Sequence, residues 1–136
     1  MTGVKDALDR MIVCDDIIAN YDRHWRNFGL VRNVNSLVCR PAPIFDSGSS
    51  LWCNISLEEL QTGEHSFTSA QFHSSPAKQM LLVEDMSWFD GDKLEGFVDE
   101  AIEILSKNDA LAARLSYLKE ALTWRLERMI DIAEWS

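Results

Sequence analysis

The C-terminal third leaves a chain of this length the least freedom. From residue 92 onward Leu94, Phe97, Val98, Ala101, Ile102 and Leu105 recur at helical spacing, and Leu111, Leu115, Leu118, Leu122, Met129 and Ala133 repeat the pattern after a short break. Apolar residues at three- and four-residue intervals line one stripe of a helix, and such a stripe has to be buried. Asp92 followed by Glu95 reads as a capping box that opens the first helix. The second is expected to open near Asn108 or Asp109. So short a connection predicts an antiparallel helix pair packed on the rest of the chain. The stripe is read as core, not as a cofactor-binding surface.

The preceding residues carry weaker periodicity. Residues 4–20 read as a helix through Val4, Leu8, Met11, Ile12 and Ile18 that stops near Asn20, with Asp15 and Asp16 approaching solvent. Two short apolar runs, 28–32 and 36–40, flank Asn33-Val34-Asn35 and predict an antiparallel hairpin. Pro41 and Pro43 hold the chain extended as far as Ile44-Phe45, and Asp46-Ser47-Gly48-Ser49-Ser50 reads as a flexible polar loop. Residues 54–74 read as loop with short helical or strand pieces. Ser75-Pro76 has N-cap and first-turn chemistry and opens a helix of about two turns through Val83. With 136 residues, 46% of them hydrophobic, and no repeat or low-complexity linker, the expectation is one domain, residues 1–136, of α+β class and mainly α.

Charge narrows the function classes. The net charge of −9 argues against a general grip on nucleic-acid phosphates, and the long C-terminal helices are acidic where a DNA-recognition helix would be basic. Against that background Ile17–Phe45 is a basic stretch, with Arg23, Arg26, Arg32 and Arg40 opposed by Asp22 alone, and is a candidate anion site. Every apolar run is too short to span a membrane, and Lys5, Asp6, Asp9 and Arg10 interrupt the N-terminus where a signal peptide would be apolar; a cytoplasmic protein is expected. Cys14, Cys39 and Cys53 form no C-x-x-C pair and are read as reduced, packed thiols.

The chemistry concentrates in Asp22-Arg23-His24-Trp25-Arg26-Asn27, the hairpin after it, and Asp46-Ser47-Gly48. Phosphoryl transfer asks for a carboxylate near the attacking hydroxyl, an oxygen ligand for Mg²⁺ in the same loop, and a second carboxylate that links the metal to nucleotide phosphates. Asp22, Asn27 and Asp46 offer these groups. Paired strands bring their outer ends to within about 5 Å, so a hairpin between Phe28 and Phe45 would set Asn27 beside Asp46. Taken singly, each residue reads as a helix cap or polar turn. Spacing, hairpin and Asp-x-Gly together favour the kinase-like reading. Arg23 and Arg26 are read either as phosphate contacts or as surface arginines paired with acids of the C-terminal helices. Trp25 and Phe28 are read as packing anchors, and His65 and His73, which lack ligand spacing, as no metal site.

The run Ile18-Ala19-Asn20-Tyr21-Asp22-Arg23-His24-Trp25-Arg26-Asn27-Phe28-Gly29, with Ala42-Pro43-Ile44-Phe45-Asp46-Ser47-Gly48-Ser49-Ser50-Leu51, resembles the C-terminal catalytic region of HipA-like serine/threonine kinases. The D-R-H-x-x-N core is also similar to the catalytic loop of phosphatidylinositol kinases. The resemblance implies a protein-kinase-like C-terminal lobe with a small hairpin carrying the catalytic and metal-binding loops. It implies Asp22 as catalytic aspartate, Asn27 and Asp46 as ligands of Mg²⁺ and ATP, and His24 as a base or a support of the loop. Ser47 stands where the usual D-F-G motif has phenylalanine, so no aromatic switch is expected.

Two parts of a kinase are missing from this stretch of sequence. The six glycines never form G-x-G, and Lys5, Lys78, Lys93, Lys107 and Lys119 all lie in or beside predicted helices rather than on a strand. The expectation is a lobe without its N-terminal partner, whether a truncated gene product, an excised fragment or half of a split protein, and therefore inactive alone. The apolar surface left behind would be covered by that partner or by self-association, and a completed enzyme would act on a protein substrate. The rival readings are a lipid-kinase-like phosphotransferase and a non-catalytic regulatory or DNA-associated protein of the kind that carries an excisionase label; no basic membrane-facing patch supports the first.

Overall fold

A computed structural model describes residues 3–63, 72, 73 and 75–136. The element order is α1 (Val4–Ile17), β1 (Leu30–Arg32), β2 (Cys39–Pro41), α2 (Leu57–Gln61), α3 (Pro76–Met80), α4 (Phe97–Leu105) and α5 (Leu115–Glu134), with 3-10 helices at Gly91–Leu94 and Asp109–Arg114. The described residues form an α+β arrangement that is mainly helical, with one antiparallel pair of strands in which Leu30 faces Pro41, Val31 faces Arg40 and Arg32 faces Cys39.

Helix α5 joins two packed clusters. Its Leu118, Ala121 and Leu122 are buried with Ala19, Trp52, Ile55 and Leu60, and Val98, Ala101, Ile102 and Leu105 of α4 lean on that group. Further along, Met129 is buried with Ile12, Val13, Ile17, Met80 and Met86. Between the clusters Arg125 is 1% exposed. Its Nη1 donates to the Asp16 carbonyl at 3.1 Å and lies 3.3 Å from the Asp16 carboxylate, which Arg128 also reaches at 2.7 Å. Burial pushes the Arg125 pKa down, and Asp16 opposes that shift. Asp15 and Asp16 are thus buried, against the expectation that they approach solvent, because each has an arginine to face.

Several boundaries differ from the sequence expectation. Helix α1 stops at Ile17, three residues early, because Ala19 turns left-handed with φ 54° and Asn20 N–H donates back to the Asp15 carbonyl at 2.9 Å. The strands are shorter than 28–32 and 36–40, because the turn takes residues 33–38: the Asn33 side chain accepts from the Asn35 and Ser36 amides, and Leu37 sits at φ 58°. Helix α2 is one of the short helical pieces expected somewhere within 54–74, and Ser56 and Glu59 form a reciprocal capping box that opens it. Helix α3 ends at Met80 rather than Val83. Asp92 and Glu95 do not open α4. Asp90 caps the 3-10 helix, and Gly96 at φ 78° lets the chain re-enter a helix at Phe97. A second 3-10 helix, capped by Asn108, likewise precedes α5. Gly91 leaves room for α5: a Cβ there would lie 2.8 Å from Ile130 Cγ1.

Leu51 and Trp52 are consecutive left-handed residues at φ 56° and 54°, held by Arg114, whose Nη2 and Nη1 donate to the carbonyls of Trp52 and Ile55. The Trp52 indole is 1% exposed and its N–H meets no acceptor. The three cysteines are unpaired, but Cys14 and Cys53 are exposed rather than packed. No helix among the described residues is long and apolar enough to cross a membrane.

Candidate functional site

The site is assembled from the end of α1 outward. After the left-handed turn at Ala19, Tyr21 N–H donates to the Ser49 carbonyl at 3.1 Å and Leu51 N–H to the Ile18 carbonyl at 2.8 Å, so residues 18–21 run beside 49–51. Asn20, 5% exposed, donates from Nδ2 to Asp15 Oδ1 at 3.0 Å and accepts the Asp22 amide at 3.1 Å. Asp15 therefore sets Asn20, and Asn20 sets the backbone of Asp22.

Asn27 closes the loop from inside. Its Nδ2 donates to the Asp22 carbonyl at 2.6 Å, its Oδ1 accepts the His24 amide at 2.8 Å, and the residue is 1% exposed. The Asp22 carboxylate is left outward, its side chain 51% exposed. His24 Nδ1 accepts the Arg26 amide at 3.2 Å, which places the proton of the neutral imidazole on Nε2. That nitrogen lies 3.9 Å from Asp22 Oδ2, an electrostatic approach longer than a hydrogen bond.

Arg23 joins this loop to the one after the hairpin. Fully buried, it donates from Nε and Nη2 to the two Asp15 carboxylate oxygens at 2.8 and 2.9 Å. Its Nη1 donates to the carbonyls of Asn27 at 2.7 Å and Phe45 at 2.6 Å, and Nη2 reaches Ser47 Oγ at 3.3 Å. Hydrogen bonding to Asp15 raises the arginine's pKa, and the Asp46 carboxylate adds to the effect. Arg23 is thus neither a phosphate contact nor a surface arginine. The loop at 46–50, expected to be flexible, is tied down: Ser49 accepts from Tyr21, and Ser50 Oγ donates to the Ser47 carbonyl at 2.7 Å. Asp46 itself is exposed and left-handed at φ 55°, a conformation aspartate tolerates better than most residues.

The structure therefore places Asp22, His24 and Asn27 in one loop, and the chain entering Asp46 against that loop through a shared guanidinium nitrogen. Mg²⁺ takes oxygen donors: Asp46 offers an exposed carboxylate, and Asn27 Oδ1, in a residue 1% exposed, accepts the His24 amide and has a second lone pair. Mg²⁺ retains waters and takes phosphate oxygens, so one or two protein ligands suffice. Among the described residues no three His, Cys, Asp or Glu side chains cluster as a metal site of their own. His73 has an interaction partner, and His65 lies outside the described residues.

Beside the loop, an apolar cavity of about 390 Å³ opens between α1 and the hairpin, lined by Leu8, Met11, Leu30, Pro43 and Ile44 among others. Trp25 is 80% exposed, so it is no core anchor; it packs on the surface against Phe28 and Phe72, with ring centroids 5.5 and 5.7 Å away. Arg26, Arg32 and Arg40 are exposed, which leaves three arginines of the basic stretch facing solvent. Sequence reasoning missed Asp15 and Asn20 as parts of the site. The signal was there in Asp15, a charge inside the apolar run from Met11 to Ile18, which marks a buried partner.

No family model and no solved structure matches the chain. Over 42 residues, 31% of its length, it is 48% identical to the serine/threonine-protein kinase CtkA of Helicobacter pylori (strain J99 / ATCC 700824), and that stretch is 13% of the relative's length. The chain spans only part of that relative, and over the matched stretch it is kinase-like in sequence.

Proposed function

We propose that this chain carries the catalytic and metal-binding loops of a HipA-like, ATP-dependent protein kinase that phosphorylates serine or threonine, and that it needs a partner to act. One observation carries the reading: Arg23 Nη1 donates to both Asn27 and Phe45, which brings the loop of Asp22 and the approach to Asp46 to one place. Asp22, oriented through Asn20 and Asn27 with its carboxylate outward, would accept the proton of the incoming hydroxyl. His24 steadies the loop through the Arg26 amide and approaches Asp22 without displacing it. Asp46 and the free lone pair of Asn27 would hold Mg²⁺, which when bound neutralises charge building on the transferring phosphoryl group. The apolar cavity flanking Leu30 and Ile44 suits a nucleotide base.

The partner is proposed to supply the cover over the phosphates and the lysine that grips them. It would seat on the exposed apolar residues of the hairpin, Val31, Val34, Leu37 and Val38, each more than 40% exposed. Without those cations the transition state lacks its largest stabilising term, so the lone chain is expected not to transfer phosphate. Calorimetric titration of Mg²⁺ and ATP into wild type and Asp46→Ala tests the site. Magnesium-dependent ATP binding that vanishes in Asp46→Ala is the expected result, and ATP binding indifferent to both would refute the reading.

A further inference from the structure

We infer that Arg23 is a positioning residue that fixes the spacing between the Asn27 amide and the Asp46 carboxylate, with Asp15 holding its guanidinium in plane. Arginine has five N–H groups in a rigid fork, and here Nε serves one Asp15 oxygen, Nη1 serves two backbone carbonyls, and Nη2 serves the other Asp15 oxygen and Ser47 Oγ. Nothing is left to reach a substrate. The two carbonyls belong to Asn27 and to the residue before Asp46, so the fork measures the gap between the loops directly. Asp15 in turn is fixed from α1 and also holds Asn20, which places Asp22, so one carboxylate and one guanidinium register three site residues against a helix end. Lysine would keep the ion pair with Asp15, but as a single-headed donor it could not also span Asn27 and Phe45.

The inference rests on reading Asn27 and Asp46 as metal ligands, and its test separates the two claims. Mn²⁺ alone is titrated into wild type, Asp46→Ala, Arg23→Lys and the charge-neutral pair Asp15→Asn with Arg23→Met, followed by paramagnetic broadening; exchange of the Tyr21 amide, which bridges to Ser49, is measured on the same samples without metal. Far-ultraviolet circular dichroism confirms that each variant is folded. Wild type is expected to bind, Asp46→Ala to lose binding, and folded Arg23→Lys to bind roughly 10- to 100-fold more weakly, the usual cost of losing a group that orients a ligand. Faster Tyr21 exchange is expected in both Arg23 variants. Folded Arg23→Lys that binds Mn²⁺ as wild type does would overturn the positioning role. If wild type binds no Mn²⁺ the metal-site reading fails instead, and the exchange rate then decides the tether: unchanged Tyr21 exchange in Arg23→Lys overturns it, and acceleration of tenfold or more upholds it.

Discussion

Asp16 lies under α5 with a 3%-exposed side chain, and two arginines from that helix converge on it. Removing the shared carboxylate takes the charge partner from buried Arg125 and from partly exposed Arg128, a loss of about 3–5 kcal/mol. Asp16→Ala is therefore expected to lower the urea midpoint by that equivalent, whereas Asp6→Ala, which removes an exposed pair with Arg10, should change stability by less than about 1 kcal/mol. Asp85 gives a pH-dependent counterpart. Donation from Ser87 holds its carboxyl below the ordinary aspartate value. A depressed folded pKa favours the fold above the unfolded pKa, and the contribution disappears as pH falls through the lowered value. The Ser87 amide shift should titrate below the usual aspartate range, and Asp85→Asn should abolish that titration. The grouping of Asp22, His24 and Asn27 in one loop was legible from their spacing. The role of Arg23 was not, because an arginine beside a candidate phosphate site reads the same in sequence whether it points out or in, and only Asp15, eight residues earlier on the helix, turns it inward.

At the level of elements, two acidic capping patterns met different fates. Ser56 with Glu59 built α2, whereas Asp92 with Glu95 built nothing, since Gly96 offered the chain a left-handed restart and Asp90 captured the preceding turn. Five-residue helices are too short to show a period, which is why α2 could be expected only as an unplaced short piece within 54–74, beside the long stripes of α4 and α5. Ser56→Ala is expected to cost about 1 kcal/mol in a urea melt, the worth of an N-cap hydroxyl. Gly91→Ala should cost more, about 1–3 kcal/mol, because its new methyl meets Ile130 on α5 at 2.8 Å. Ile130→Ala vacates that space, so the double variant should be less destabilised than the two single effects combined, a coupling that a mutant cycle reads directly.

Across the whole molecule, packing and exposure are unevenly divided. Helix α5 ties both clusters together, and their periodic apolar stripes made that half of the fold legible in sequence. The hairpin is the opposite case: a two-stranded ribbon with Val34, Leu37 and Val38 each more than 60% exposed, whose short runs predicted pairing but not what would cover it. Left uncovered, such a surface associates. Sedimentation of the lone chain should show mass rising with concentration, and Val34→Lys with Leu37→Lys should return it to a monomer at an unchanged melting temperature; a strict monomer in wild type would count against an uncovered docking face. The five tryptophans divide along the same line. Trp52 is sealed in the core with an indole N–H that meets no acceptor, while Trp25, two residues before Asn27, is open to water. Trp52 is therefore a built-in short-wavelength emitter, shielded from acrylamide, that reports whether the interior is intact, while the readily quenched long-wavelength emission is shared by Trp25, Trp124 and Trp135.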